Sequence, residues 1–271
     1  MWKAIKYILI FYAFQLVCAL IVMIPGYILK ADESVLIIVS LVLSSILFCW
    51  FIIWKGEVRL NRETFTVRHW IILFLSVVAL CFFFLPEVDL IAHLSLPDVM
   101  EDEWNGLGGS VLGLITLGVL IPISEEMLFR GAVLHSLLDW EKLRSKEWLA
   151  ILLSAVFFSL FHLNPAQMPG AFLMGLFFGW LCYRTGSLLP GIVVHVFNNS
   201  LVCVGMMFSK EEEESIESIS DMFASPALEY LLIIASLLAC VAIVMVLVRE
   251  VNKHYTSRES EMLPDDKSFL P

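Results

Sequence analysis

Of the 271 residues, 59% are Ala, Val, Ile, Leu, Met, Phe, Trp, Tyr or Cys and only 16% are charged, with a mean hydropathy of +0.86. Too little polar surface remains to coat a water-soluble particle, so the chain is an integral membrane protein; disorder, a collagen-like repeat and a secreted disulfide scaffold are excluded by the same numbers. The net charge of −10 argues against a nucleic-acid partner.

Stretches free of Asp, Glu, Lys and Arg mark the spans, because about 20 apolar residues in a helix cross the hydrocarbon layer. In chain order they are 7–29, 34–54, 69–86, 104–124, 148–183, 185–209 and 230–248. The first reads as a retained signal anchor, since its apolar core is long and no small-residue cleavage pattern follows. The run 148–183 is too long for one crossing, and Asn164-Pro165 with Pro169-Gly170 supplies turn chemistry inside it. It reads as a hairpin of two short spans. The expected fold is therefore all-α, a multi-pass bundle of about eight transmembrane helices forming one domain over 1–271, with a flexible tail from 249 to 271.

Lys and Arg set the orientation, because cytoplasmic loops carry the excess. With both termini cytoplasmic, fourteen of them fall inside and only Lys30 and Lys210 outside, with Arg130 in the bilayer. The acidic segments from Glu87 to Glu103 and from Glu211 to Glu214 then face outward as solvated surface. His69, Trp70, Trp54 and Trp148 read as interfacial anchors. The six cysteines all lie in spans without C-x-x-C spacing, as packing thiols rather than disulfides or a zinc knuckle. Gly109 with Gly113 and Gly175 with Gly179 have the small-xxx-small spacing of crowded helices, and ordinary packing within one molecule is favoured over a dimer face.

Charge is concentrated where it is costly. Ser124-Glu125-Glu126-Met127-Leu128-Phe129-Arg130 sits at the inner half of span four, where each charged side chain costs at least ~2.5–3.5 kcal/mol. Glu126 and Arg130 stand at i and i+4 in the favourable order for an ion pair. Glu125 is rotated by about 100° and lacks a charge partner within helical reach, which makes it a candidate general base. Pro122 frees a backbone carbonyl and bends the helix, tolerated where the opening faces protein or a water-filled cavity.

Phe158 and His162 are spaced i, i+4 near the end of span five, and His195 and Asn199 share one face of span seven. Two histidines, an amide and a glutamate pair on separate helices suggest a shared interior site. At about 1.5 Å of rise per residue, His162 lies ~21 Å along its helix from Trp148, whereas His195 lies only ~10 Å from Leu188. A common site then needs tilt, unequal helix starts or a short span five. His135 reads as a surface or interface residue.

The motifs Glu125-Glu126-x-x-x-Arg130, Phe158-x-x-x-His162 and His195-x-x-x-Asn199, in this order, resemble those of the CAAX protease and bacteriocin-processing (CPBP, or ABI) family, the group of the type II CAAX prenyl endopeptidases. The resemblance covers about 104–205. It implies a metal-independent glutamate-type intramembrane endopeptidase acting on a membrane-associated peptide or protein. By similarity Glu125 and His162 activate a water, His195 and Asn199 stabilise the oxyanion, and Glu126, Arg130 and Phe158 support them. The multi-pass chain would lie in the plasma membrane, the inner membrane in a Gram-negative cell, with the lipid bilayer as its surroundings.

Alternatives stay open at this level. No H-E-x-x-H is present, yet Glu125, His162 and His195 would make a three-ligand zinc site if the helices converge. The expectation is no cofactor. A non-proteolytic scaffold or a bacteriocin self-immunity protein carries the same motifs. A proton-relaying transporter is disfavoured by the lack of an inverted repeat or a second broken helix.

Overall fold

Eight helices and no strand are present among the described residues of a computed structural model, which are 1–56, 70–80, 82, 96–100, 107–143, 145–209 and 226–261. They are α1 (Trp2–Ile28), α2 (Glu33–Trp54), α3 (Trp70–Leu80), α4 (Val111–Leu138), α5 (Glu147–Phe161), α6 (Met168–Thr185), α7 (Leu189–Ser209) and α8 (Pro226–Glu261). Five of them, α1, α2, α4, α7 and α8, are long and apolar enough to cross a membrane. His69, Cys81, the acidic residues 87–95, 101–103 and 211–214, and residues 262–271 lie outside the described part. The helix α8 runs on to Glu261, through the first half of the segment expected to be a tail.

Lipid-facing and core-facing sides are separated as the composition requires. Leu9, Leu16, Leu20 and Ile24 of α1 and Leu231, Leu238 and Met245 of α8 are exposed, as apolar side chains are when lipid is the solvent. Tyr7 and Phe11 of α1 and Phe48 and Ile52 of α2 instead pack on the second half of α4. Asp32 caps α2, its carboxylate accepting from Val35 N–H at 3.1 Å, and so turns the chain back on α1 within a short link.

The central element is α4. Its residues Met127–Leu134 are all buried, so this helix is surrounded on every side rather than on one face. Span four was expected to end at 124, placing the acidic pair at its inner half. The helix continues to Leu138, and Glu125 and Glu126 fall at its middle. The physical reason is the pairing of Glu126 with Arg130, which lets one helix carry opposite charges through its buried part. Two stretches, Leu114–Leu120 and Met127–Leu134, wind as π-helix on either side of the short α-helical turn Ile121–Glu126. Such widened turns are rare and concentrate at functional sites.

The run 148–183 folds as the expected hairpin. α5 has 15 residues, a rise of about 22 Å against a hydrocarbon thickness of about 30 Å, so it is the short span that a common site needed. Ser159 Oγ donates to the Met168 carbonyl at 2.7 Å and ties the two helices across the turn. Gly175 and Gly179 face α5, and a Cβ at Gly175 would stand 2.9 Å from Ala155 Cα. The small-residue pair is thus an internal seam, as favoured from sequence. Replacing Gly175 by Ala should lower stability by about 1–3 kcal/mol through overpacking against backbone. Gly205→Ala, where a Cβ meets nothing within 4 Å, should raise it by up to about 1 kcal/mol through helix propensity. Thermal unfolding of the purified protein in detergent reads both.

Candidate active site

Two helices bring Glu125, Glu126 and His195 into contact, and a third sets His162 against the Phe158 ring that also meets His195. Glu125 and Glu126 come from the middle of α4, His195 from the second turn of α7, and His162 caps the C-terminus of α5. Glu126 Oε1 lies 2.9 Å from Arg130 Nη1 and 3.1 Å from His195 Nδ1. His195 Nε2 faces Glu125 Oε2 at 3.7 Å. One imidazole thus bridges two carboxylates that are neighbours in sequence, and the partner Glu125 lacks on its own helix arrives from α7.

The two carboxylates differ in burial. Glu126 is 0% exposed and Arg130 1%, whereas Glu125 keeps 7%. Glu126 is therefore sealed with its counter-ion, while Glu125 sits at the boundary of the packed interior. Arg130 is held by more than charge. Its Nη2 donates to the Gly175 carbonyl at 3.3 Å, and its guanidinium carbon lies 4.4 Å from the ring centre of Phe158 and 5.2 Å from that of Phe178. A planar cation next to two rings is the arrangement that Arg, and not Lys, satisfies.

Phe158 is the hub that joins the two histidines. Its ring lies edge-on to His162, with centroids 4.8 Å apart, and to His195 at 5.8 Å. The depth mismatch read from sequence is absorbed by the short α5. His162 Nδ1 is 2.8 Å from the Phe158 carbonyl, which can only accept, so Nδ1 carries a proton and, in the neutral ring, Nε2 holds the lone pair. The next residue, Leu163, takes the left-handed conformation (φ 52°) and ends the helix at that point. Beyond it the buried Asn164 donates to Asp98 Oδ1 at 2.8 Å and accepts from Val99 N–H at 3.3 Å, fastening the segment before α4 to the turn beside His162.

Asn199 has a backbone partner. Pro122 lacks the N–H that would bond the Gly118 carbonyl in α register or the Leu117 carbonyl in π register. Both oxygens are met from α7: Asn199 Nδ2 donates to Leu117 at 3.4 Å, and Ser200 Oγ donates to Gly118 at 3.3 Å. The opening made by Pro122 faces protein. Asn199 Nδ2 carries a second N–H beyond that contact.

Several contributors escape a reading of motifs. Tyr12 of α1 donates to the Phe161 carbonyl at 3.0 Å, next to His162, and its phenol lies within electrostatic reach of Glu125. Nothing in the sequence singled it out, since Tyr7, Gln15 and Tyr27 share the same span. Phe178 also lies 5.2 Å from His195, and only its i+3 spacing from Gly175 could have marked it. A Cβ at Gly191 would stand 2.9 Å from Glu126 Oε2, so the start of α7 needs this glycine to approach the sealed carboxylate. His135 reaches inward, its Nδ1 donating to the Arg130 carbonyl at 2.6 Å. Among the described residues no three His, Cys, Asp or Glu side chains are arranged to hold a metal ion.

Residues 107–201 match the family described as type II CAAX prenyl endopeptidase Rce1-like. The match is to a protease family, it agrees with the resemblance carried by the three motifs, and it contains every motif residue from Glu125 to Asn199 while leaving out Tyr12. A curated protein of Escherichia coli, described as an uncharacterized 24.3 kDa protein, is 30% identical over 125 residues, 44% of this chain. The chain spans 49% of the length of that relative. No solved structure matched.

Two substitutions test the geometry. Arg130→Lys keeps the charge but loses the planar stack, and should lower stability by about 2 kcal/mol or more. Asn164→Ala removes its bonds to Asp98 and to the Val99 amide and should cost about 1–3 kcal/mol, at about 0.5–1.5 kcal/mol for each. Thermal unfolding in detergent measures both, and an unchanged midpoint in either would contradict the contact assigned.

Proposed function

We propose that the protein is an intramembrane endopeptidase that hydrolyses a peptide bond of a membrane-associated protein or peptide. The observation that carries this reading is the unequal carboxylate pair: Glu126 is sealed against Arg130 and His195, while Glu125 stands beside His195 at the edge of the packed core. A structural staple needs only the first. The second supplies a carboxylate positioned to take a proton. The matched protease family supports the same class of reaction.

In this mechanism a water lies between Glu125 and the free Nε2 of His162. Glu125 removes a proton as the water attacks the scissile carbonyl, and His162 orients the water through its lone pair. The developing oxyanion is met by His195, which donates from Nε2 when protonated, and by the second N–H of Asn199. Proton return from Glu125 to the leaving amine completes hydrolysis. Glu126, Arg130 and Phe158 do not touch the reacting atoms; they hold the two imidazoles and the acid in register. No step passes through a metal.

Peptide-bond cleavage by purified protein, wild type beside Glu125→Gln and His162→Ala, tests the assignment. Each variant should lose about 10²–10⁴-fold in rate, the span of a positioned general acid or base. Equal cleavage by all three would refute the assignment. Prolonged treatment with a chelator should leave the wild-type rate unchanged, and a loss restored by zinc would overturn the metal-independent mechanism.

A further inference from the structure

Away from the site, a seam between α6 and α8 holds an apolar cavity of about 400 Å³, a volume within the range of small-molecule sites. Trp148, Met174, Phe177, Trp180, Val244 and Val248 form its main walls, and every lining residue is apolar. Its outer wall is α8, whose neighbouring surface is exposed Leu, Val and Met, so the cavity communicates with lipid rather than with water.

One end of the seam is different in character. Arg184 of α6 donates to Asn252 of α8 and bridges the two helices there. Arg249 and Lys253 line a shallow hollow that shares Val248 with the apolar cavity. Lys253 is paired with Glu250 at 2.8 Å, and Glu147, at the start of α5, lies like Arg184 within electrostatic reach of Tyr183, so among the described residues the rim sets Arg184, Arg249 and Lys253 against Glu250 and Glu147. In a chain of net charge −10 a cationic excess at this place is a local feature. Trp148 and Trp180 sit toward the same end, as amphipathic rings do at a membrane interface.

We propose that the seam binds an anionic phospholipid, with one acyl chain in the apolar cavity and the phosphate on the rim formed by Arg184, Arg249 and Lys253. A chain alone would need only the apolar walls; the adjoining cations select the headgroup. This is the end where the distribution of Lys and Arg predicts the cytoplasmic leaflet, which is the leaflet that carries anionic lipid. The occupied cavity would also share a wall with the catalytic cluster, since Met174 packs on Phe178 and the Phe178 ring lies against His195 and Arg130.

Full-length protein is delipidated in detergent, given phosphatidylglycerol and phosphatidylcholine in equal amounts, and examined by native mass spectrometry. Wild type should retain phosphatidylglycerol at least fivefold over phosphatidylcholine. Arg249→Gln and Lys253→Gln should each reduce that preference about fivefold, the effect of one cation near an anionic surface. Val248→Trp, with Val244→Trp as a second filling variant, should lose both lipids while unfolding at the wild-type temperature. Equal retention of the two lipids by wild type, a measurement that needs no variant, would overturn the proposal. So would an unchanged preference in the charge variants.

Discussion

The arrangement depends on one buried contact, the ion pair between Glu126 and Arg130 with His195 on its other side. Charges taken out of water need close partners to repay their desolvation. Here the guanidinium has the Glu126 carboxylate, the Gly175 carbonyl and two aromatic rings, and Glu126 Oε1 has both Arg130 and His195, while Glu126 Oε2 and Arg130 Nε are buried without a hydrogen-bond partner among the described residues. This set draws together α4, α5, α6 and α7. It explains why Gly175 and Gly191 allow close approach at those seams, and why α4 passes uninterrupted through the centre of the bundle.

With Glu126 committed to holding helices together, the adjacent Glu125 faces a different environment. Neighbouring residues on a helix point about 100° apart, so Glu126 can be fully sealed while Glu125 keeps a small exposed fraction. His195 touches both and links the sealed carboxylate to its neighbour. Contacts from α1 extend the same logic beyond the matched region, because Tyr12 holds the carbonyl of Phe161, directly before His162. The turn after His162 is fixed in the same way by Asn164 and Asp98.

Much of this was legible in the residues. Charge-free runs give helices because lipid tolerates no unpaired charge, and Asn164-Pro165 marks the turn that separates α5 from α6. The i, i+4 spacing of Glu126 and Arg130 gives the ion pair. What counting could not give is the end of α4, because a run stops at the first charge while a self-paired charge lets the helix continue to Leu138. The partner of Glu125 was equally hidden, since it comes from a helix 70 residues later. The contacts of Asn199 and Ser200 with the carbonyls freed at Pro122 depend on which helix lies opposite, and no local pattern states that.

The division of labour between the two carboxylates is tested most directly by unfolding Glu125→Gln and Glu126→Gln side by side in detergent. Removing the Glu126 charge strands a buried guanidinium, and should cost about 3–5 kcal/mol. Removing the charge of Glu125 should leave stability within about 1 kcal/mol of wild type, because the sealed guanidinium is in direct contact with Glu126 and not with Glu125. Equal destabilisation, or a larger loss for Glu125→Gln, would contradict the account.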